Sequence, residues 1–309
     1  MERPFRLDSE LAAISVMIPR FDLTDVTGSR EVERDLITRS REAADGVETL
    51  DYVIPGVAPA PLAVRIYRPA EHSDRLPVLL YLHGGAFVLG GLHTEEERCE
   101  LYARLAECVV VQVDYRLAPE HPFPAAFEDA MTALKWIVDS ADLLGVDSSR
   151  IAVGGNSAGG AIAAAVALEC RAPEMPDLVL QLLVNPALDH RATSRSAELF
   201  VDSPVFNGTD NRIMWEAYLA ESVHETDYRA SPSLAEQMDG VAPAAIWLAE
   251  FDPLRDEGYE YAARLMRAGV SVGLQQYPGT FHGFDSYRMT RVGRRALKDQ
   301  VLALRGAFA

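Results

Sequence analysis

The stretch Ile151-Ala152-Val153-Gly154-Gly155-Asn156-Ser157-Ala158-Gly159-Gly160 decides how the chain is read. Ile151 to Gly154 reads as a short apolar strand, and Ala158 to Cys170 reads as an alanine-rich helix. Ser157 lies in the turn between them. A G-x-S-x-G string alone is weak, because a linker contains one by accident; between a strand and a helix it marks a sharp turn that holds the serine hydroxyl clear of its neighbours. Gly155 and Gly159 stand two residues either side, where a side chain would collide with the adjacent strand and helix. The amide of Ala158 opens the helix and shares its positive dipole end. Taken alone, the motif also fits a phosphate-binding turn or a merely tight turn.

Strands and helices alternate on both sides of this turn. Val78 to Leu82 and Val109 to Val113 read as buried strands, joined by a helix that Thr94 caps, with Glu95, Glu96 and Glu97 in its first turn. Phe127 to Ser140 reads as a helix. Further strands follow at Val179 to Val184, Ala244 to Leu248 and Val272 to Tyr277, with helices at Glu257 to Ala268 and Thr290 to Leu304. Such alternation means β-α-β units and a mostly parallel sheet with helices on both faces. Val47 to Ile54 and Leu62 to Tyr67 are two earlier strands separated by Pro55-Gly56 and Pro59 to Pro61, a candidate antiparallel edge. Upstream, Leu11, Ile14 and Ile18 share helical spacing, and Glu31 to Ala44 reads as an amphipathic helix with Val32, Leu36 and Ile37 on its apolar side. Between Leu188 and Ser231 no strand is expected, only a helix at Asn211 to Ala220; an insertion of this length reads as a lid.

The 309 residues carry 29 Lys+Arg and 46 Asp+Glu, a net charge of −17. With 49% hydrophobic and 24% charged residues, the composition excludes disordered, fibrous and membrane-embedded classes. A strongly acidic chain without a basic block repels phosphate backbones and anionic lipid, so neither nucleic acid nor membrane insertion is expected. Cys99, Cys108 and Cys170 are odd in number and form no C-x-x-C pair, so they read as reduced, buried thiols of a cytoplasmic protein. No H-E-x-x-H, G-x-G-x-x-G or P-loop motif appears, and no cofactor or metal is expected. Met266, Leu265 and Tyr261 read as core packing on a late helix, and Arg291, Arg294 and Arg295 as a solvated helix face.

A serine hydroxyl is a weak nucleophile and needs a general base, an oriented acid and donors for the oxyanion. Two glycines after a buried strand, in His83-Gly84-Gly85-Ala86-Phe87, are the candidate donors, with His83 holding the loop by hydrogen bonding. The candidate base is His282 in Thr280-Phe281-His282-Gly283-Phe284, because a loop after a late parallel strand opens on the same sheet edge as Ser157. The remaining histidines, such as His72, His121, His190 and His224, fit no strand end. Asp252 is the candidate acid after the strand Ala244 to Leu248. Its neighbours Glu250, Asp256 and Glu257 read as a solvated charge cluster.

The order Ser157, Asp252, His282 is that of the α/β-hydrolase fold. With it, His83-Gly84-Gly85, Asp114-Tyr115-Arg116-Leu117-Ala118-Pro119-Glu120, the serine turn, Asp252-Pro253-Leu254-Arg255-Asp256-Glu257-Gly258 and His282-Gly283-Phe284 make the chain resemble the bacterial hormone-sensitive-lipase-like esterases over nearly its whole length. The resemblance implies a sheet of about eight strands and a serine carboxylesterase acting on short- to medium-chain esters through an acyl-enzyme. It implies Ser157, Asp252 and His282 as catalytic residues and the amides of Gly84, Gly85 and Ala158 as the oxyanion hole. It also implies one α/β-hydrolase domain whose core spans 48–188 and 231–309 and whose cap is built from 1–47 and 189–230. The expected partners are a small-molecule ester and, at most, a second copy in a homodimer. Two departures stand out: Asn156 occupies a position usually held by Asp or Thr, and Ala86 one often held by Gly, where it narrows the space beside the oxyanion. A non-catalytic small-ligand receptor on the same fold, and an amidase or peptidase with the same residue order, are the alternative functions.

Overall fold

Chains of Val, Ile and Leu without polar breaks make strands that are covered on both faces, and the fold follows from that. In the computed structural model, which describes residues 6–37, 45–57, 60–72, 75–220 and 227–309, the chain opens with α1 (Ser9–Ser15) and α2 (Val26–Ile37). β1 (Val47–Pro55) and β2 (Pro61–Pro69) follow. Then β3 (Leu76–Leu82), α3 (Glu96–Ala106), β4 (Val109–Val113), α4 (Ala125–Asp139), the single turn α5 (Ala141–Leu144), β5 (Val146–Asn156), α6 (Ala158–Glu169) and β6 (Leu178–Val184) alternate. The insertion holds α7 (Arg195–Leu199) and α8 (Gly208–Leu219). β7 (Ala244–Phe251), α9 (Arg255–Arg267), β8 (Val272–Phe281) and α10 (Arg291–Phe308) complete the chain.

The strands form one sheet in the order β1-β2-β4-β3-β5-β6-β7-β8. β1 and β2 pair antiparallel, as do β2 and β4, and every later pairing is parallel. This is the α/β-hydrolase fold, mostly parallel with an antiparallel edge, as the alternation and the family resemblance predict. The period of two sorts side chains between two cores. Val78, Leu80 and Leu82 face one layer with α4, α6 and α9, while Leu79 and Tyr81 face the other with α3 and α10. Helix α6 is apolar all round because it is buried from Ala158 to Leu168. Among the described residues no helix is long and apolar enough to cross a membrane.

Several sequence expectations are corrected. Helix α1 ends at Ser15, so Ile18 lies beyond it, and Leu11 is its buried residue. The helix expected over Glu31 to Ala44 begins at Val26, and its expected residues 38–44 lie outside those described. Val32 and Leu36 are exposed. The face of α2 that docks is polar instead. Arg30 donates through Nε to the Val88 carbonyl at 2.8 Å and through a terminal nitrogen to the Ala118 carbonyl at 2.9 Å, and it pairs with Glu120. Thr94 does not cap α3: its hydroxyl accepts from the Gly91 amide and the helix begins at Glu96. Met266 is half-exposed, whereas Tyr261 and Leu265 are buried as expected. Arg291, Arg294 and Arg295 are exposed, as expected of a solvated helix face, although Arg291 also reaches Glu10, Arg294 donates to the Arg288 and Met289 carbonyls, and Arg295 lies over the Tyr277 ring. Cys99 and Cys108 are buried free thiols, but Cys170 is only partly covered. His224 falls outside the described residues.

Candidate active site

Three parallel strands end at neighbouring points of one sheet edge, and each is followed directly by a polar residue. Ser157 follows β5, Asp252 follows β7 and His282 follows β8. The turn at Ser157 is as tight as the glycines require. A Cβ on Gly159 would stand 2.0 Å from the Leu82 carbonyl oxygen, and one on Gly155 would stand 2.3 Å from the Gly159 carbonyl oxygen. Ser157 itself has φ 55° and ψ −118°, a conformation disfavoured for a side-chain-bearing residue. Its amide is held by the Val184 carbonyl at 2.8 Å and its carbonyl accepts from Ala187 at 3.1 Å, so the packing around the turn imposes that geometry.

The structure brings the three candidate side chains together. His282 Nε2 lies 2.9 Å from Ser157 Oγ, and His282 Nδ1 lies 2.7 Å from Asp252 Oδ2. Asp252 is fully buried, and its second oxygen accepts the Leu254 amide at 2.9 Å. With Nδ1 donating to that carboxylate, Nε2 is left as the acceptor for the serine proton. The imidazole ring is backed by Phe206, at 4.8 Å between ring centroids.

The acidic residues around Asp252 are not a solvated cluster. Glu250 accepts the Gly279 amide at 2.7 Å and Asp256 accepts the Ser196 amide at 2.9 Å. Glu257 is buried, accepts the Leu188 amide at 2.6 Å, and its carboxyl is pushed well above the ordinary range, chiefly by burial. The segment therefore stitches α9 to the insertion.

One candidate donor of the oxyanion loop is already engaged. The Gly84 amide donates to Glu95 Oε1 at 3.0 Å, so it already has a partner. The chain then takes three consecutive positive φ values, Gly85 128°, Ala86 53° and Phe87 60°. The amides of Gly85 and Ala86 make no hydrogen bond among the described residues, and both residues line the cavity in front of Ser157. The Ala158 amide, at the first position of α6, is likewise free of an intrahelical partner. The amides left without a partner here, among the described residues, are thus those of Gly85, Ala86 and Ala158. Glu95, the residue that decides this, reads in the sequence only as a dipole-favouring acid in a first turn. His83 holds the loop as expected: Nδ1 donates to the Gly84 carbonyl at 2.7 Å, and the ring stacks on Tyr115 at 4.2 Å. Burial lowers its basicity.

The cavity in front of Ser157 measures about 310 Å³. Its outer wall comes from segments distant in sequence, Phe21, Leu23 and Glu33 near the start of the chain and Val205, Phe206 and Asp210 in the insertion. Trp215 and Tyr218 of α8 are buried and are not part of this lining. Tyr218 stacks on Phe87 at 3.7 Å, which braces the oxyanion loop from below.

The sheet, its crossover helices and the polar residues at its edge define an α/β-hydrolase. The model of a family described as having the alpha/beta hydrolase fold matches residues 79–286, more than half of the chain. The chain belongs to that family, in line with the resemblance to hormone-sensitive-lipase-like esterases. The carboxylic ester hydrolase LipN of Mycobacterium tuberculosis is 41% identical over 266 residues, which cover 84% of this chain and 70% of LipN. The ethyl acetate hydrolase of Pseudomonas putida is 37% identical over 226 residues, 72% of this chain and 71% of that protein. A solved bacterial heroin esterase matches with a TM-score of 0.94 at 37% identity, covering 98% of both chains.

Proposed function

We propose that the protein hydrolyses small carboxylic esters through an acyl-enzyme formed on Ser157. That it is an ester hydrolase follows from the family and from relatives of that activity across most of its length, so the receptor alternative is set aside. The single observation that supports the roles is the continuous contact from Ser157 Oγ to His282 to Asp252. Ser157 attacks the ester carbonyl while His282 Nε2 takes its proton. Asp252 holds the imidazole tautomer and stabilises the imidazolium that forms. The oxyanion is received by the amides of Gly85, Ala86 and Ala158. His282 then passes the proton to the leaving alcohol, and water repeats the sequence to release the acid and regenerate Ser157.

The residues lining the outer wall favour a cap made of 1–47 and 189–230 over a core of 48–188 and 231–309. A cavity near the lower end of the usual 300–1,000 Å³ range favours short acyl chains. So does the likeness to an ethyl acetate hydrolase. A cytoplasmic location and a homodimer complete the proposal; the unpaired thiols of Cys99 and Cys108 suit a reducing compartment. The test is a series of p-nitrophenyl esters with the purified enzyme. We expect kcat/KM to be highest between acetate and hexanoate and to collapse at palmitate; a preference for palmitate would contradict the short-chain reading.

A further inference from the structure

One buried carboxylate joins the three loops on which the proposed reaction depends. Glu95 is 8% exposed and lies in the turn that leads into α3. Its Oε1 accepts the Gly84 amide of the oxyanion loop at 3.0 Å and the Asn156 Nδ2 at 3.2 Å, beside the nucleophile. Its Oε2 accepts the Tyr81 hydroxyl and pairs with Arg98 Nε at 2.7 Å. Arg98 continues the connection, its Nη1 lying 2.6 Å from Asp285 Oδ2 and 3.1 Å from Gln300 Oε1. Asp285 is fully buried, three residues after His282, and also accepts Gln300 Nε2 at 3.0 Å.

We propose that Glu95 is a positioning residue of the hydrolysis, pinning the oxyanion loop to the Ser157 turn and, through Arg98 and Asp285, both of these to the His282 loop. The proposal rests on the roles assigned above to Ser157 and the loop amides. The Gly84 amide is taken up by Glu95, while the next two amides are left without a partner and so available to an oxyanion. The same carboxylate accounts for Asn156. An amide there donates to Glu95, whereas an Asp would set a second carboxylate against it, in a site with Arg98 as the neighbouring cation. The acceptor inventory is asymmetric too. A carboxylate serves Gly84, Asn156, Tyr81 and Arg98 together, while a glutamine must turn an NH₂ group toward one pair of donors. Ser157, His282 and Asp252 touch none of these atoms directly, so Glu95 acts through spacing and not through the reacting groups.

The experiment compares Glu95→Gln with the wild type on p-nitrophenyl butyrate, using the p-nitrophenolate burst to count competent sites. Misplaced donors remote from the chemistry cost rate and not binding, so kcat per titrated site is expected to fall by about 10- to 100-fold with KM nearly unchanged. Affinity for a trifluoromethyl ketone, whose hemiketal oxygen occupies the oxyanion position, should weaken by the same factor as kcat/KM. Normal kcat per site, with only a lower melting temperature or fewer titratable sites, would overturn the proposal. Asn156→Asp is the second arm. It should lower activity by setting a second carboxylate against Glu95, and Glu95→Gln/Asn156→Asp should recover part of that loss. Strictly additive losses in the double variant would also overturn it. Ser157→Ala separates the two levels. Wild-type turnover in that variant sinks the proposed function itself, whereas an inactive Ser157→Ala beside an unimpaired Glu95→Gln removes only the role of Glu95.

Discussion

Gly159 and Leu82 approach so closely that a Cβ on the glycine would stand 2.0 Å from the leucine carbonyl oxygen, so the serine turn is seated directly on the end of β3. The obstacle is backbone in the middle of a buried sheet and has no rotamer to escape into. Gly159→Ala is therefore expected to destabilise the fold by at least about 3 kcal/mol, the upper end of what overpacking usually costs. Thermal melting and soluble yield check this; a variant that melts like the wild type would mean that β3 and α6 are not in contact at this point.

Asp252 acts on the serine only through His282. Asp252→Asn keeps the shape and the Leu254 contact, yet allows the imidazole to reverse its tautomer, so that Nε2 carries the proton and cannot accept one from Ser157. A fall in kcat of about 10⁴ is expected, with KM little changed, by analogy with the corresponding change in serine proteases. Steady-state kinetics on one activated ester decide it, and a loss smaller than about tenfold would remove Asp252 from the catalytic role.

Glu257 links stability to pH. Burial, aided by repulsion from Asp189 and Asp252, raises its carboxyl well above the ordinary 4.5, so the folded protein keeps a proton that the unfolded chain releases. That contribution is fully present below about pH 4.5 and is lost as pH rises through the folded-state value. Glu257→Gln has no such term and still accepts the Leu188 amide. Its melting temperature relative to the wild type is expected to climb steadily from pH 4.5 toward pH 8. A difference independent of pH would show that Glu257 is not held protonated.

Much of the fold was legible because the middle strands are covered on both faces, and Val109, Val110, Val111 and Val113 leave little ambiguity about such a strand. The three catalytic candidates were legible for a related reason: chemistry in this architecture sits one residue beyond a parallel strand, and Ser157, Asp252 and His282 each do so. The donors were less so. The direction of an amide depends on the φ values of Gly85, Ala86 and Phe87 and on the partner of Gly84, which lies eleven residues away on another element. Helix α2 was misread because its docking face is polar. Periodicity registers apolar stripes, and no apolar stripe reports Arg30 donating to two loop carbonyls. Glu257 was misread for the converse reason, since a run of acids suggests solvent and only tertiary packing buries one of them.

The central claim is that the Ser157 oxygen carries the acyl group during turnover. The direct measurement is to quench the enzyme with p-nitrophenyl acetate within the burst, digest it and map the acetyl group by mass spectrometry. An acetyl on the peptide containing Ser157, formed at the burst rate and absent from Ser157→Ala, is the expected result. Turnover with the acetyl on another residue, or with no acetylated residue and undiminished activity in Ser157→Ala, would contradict the account.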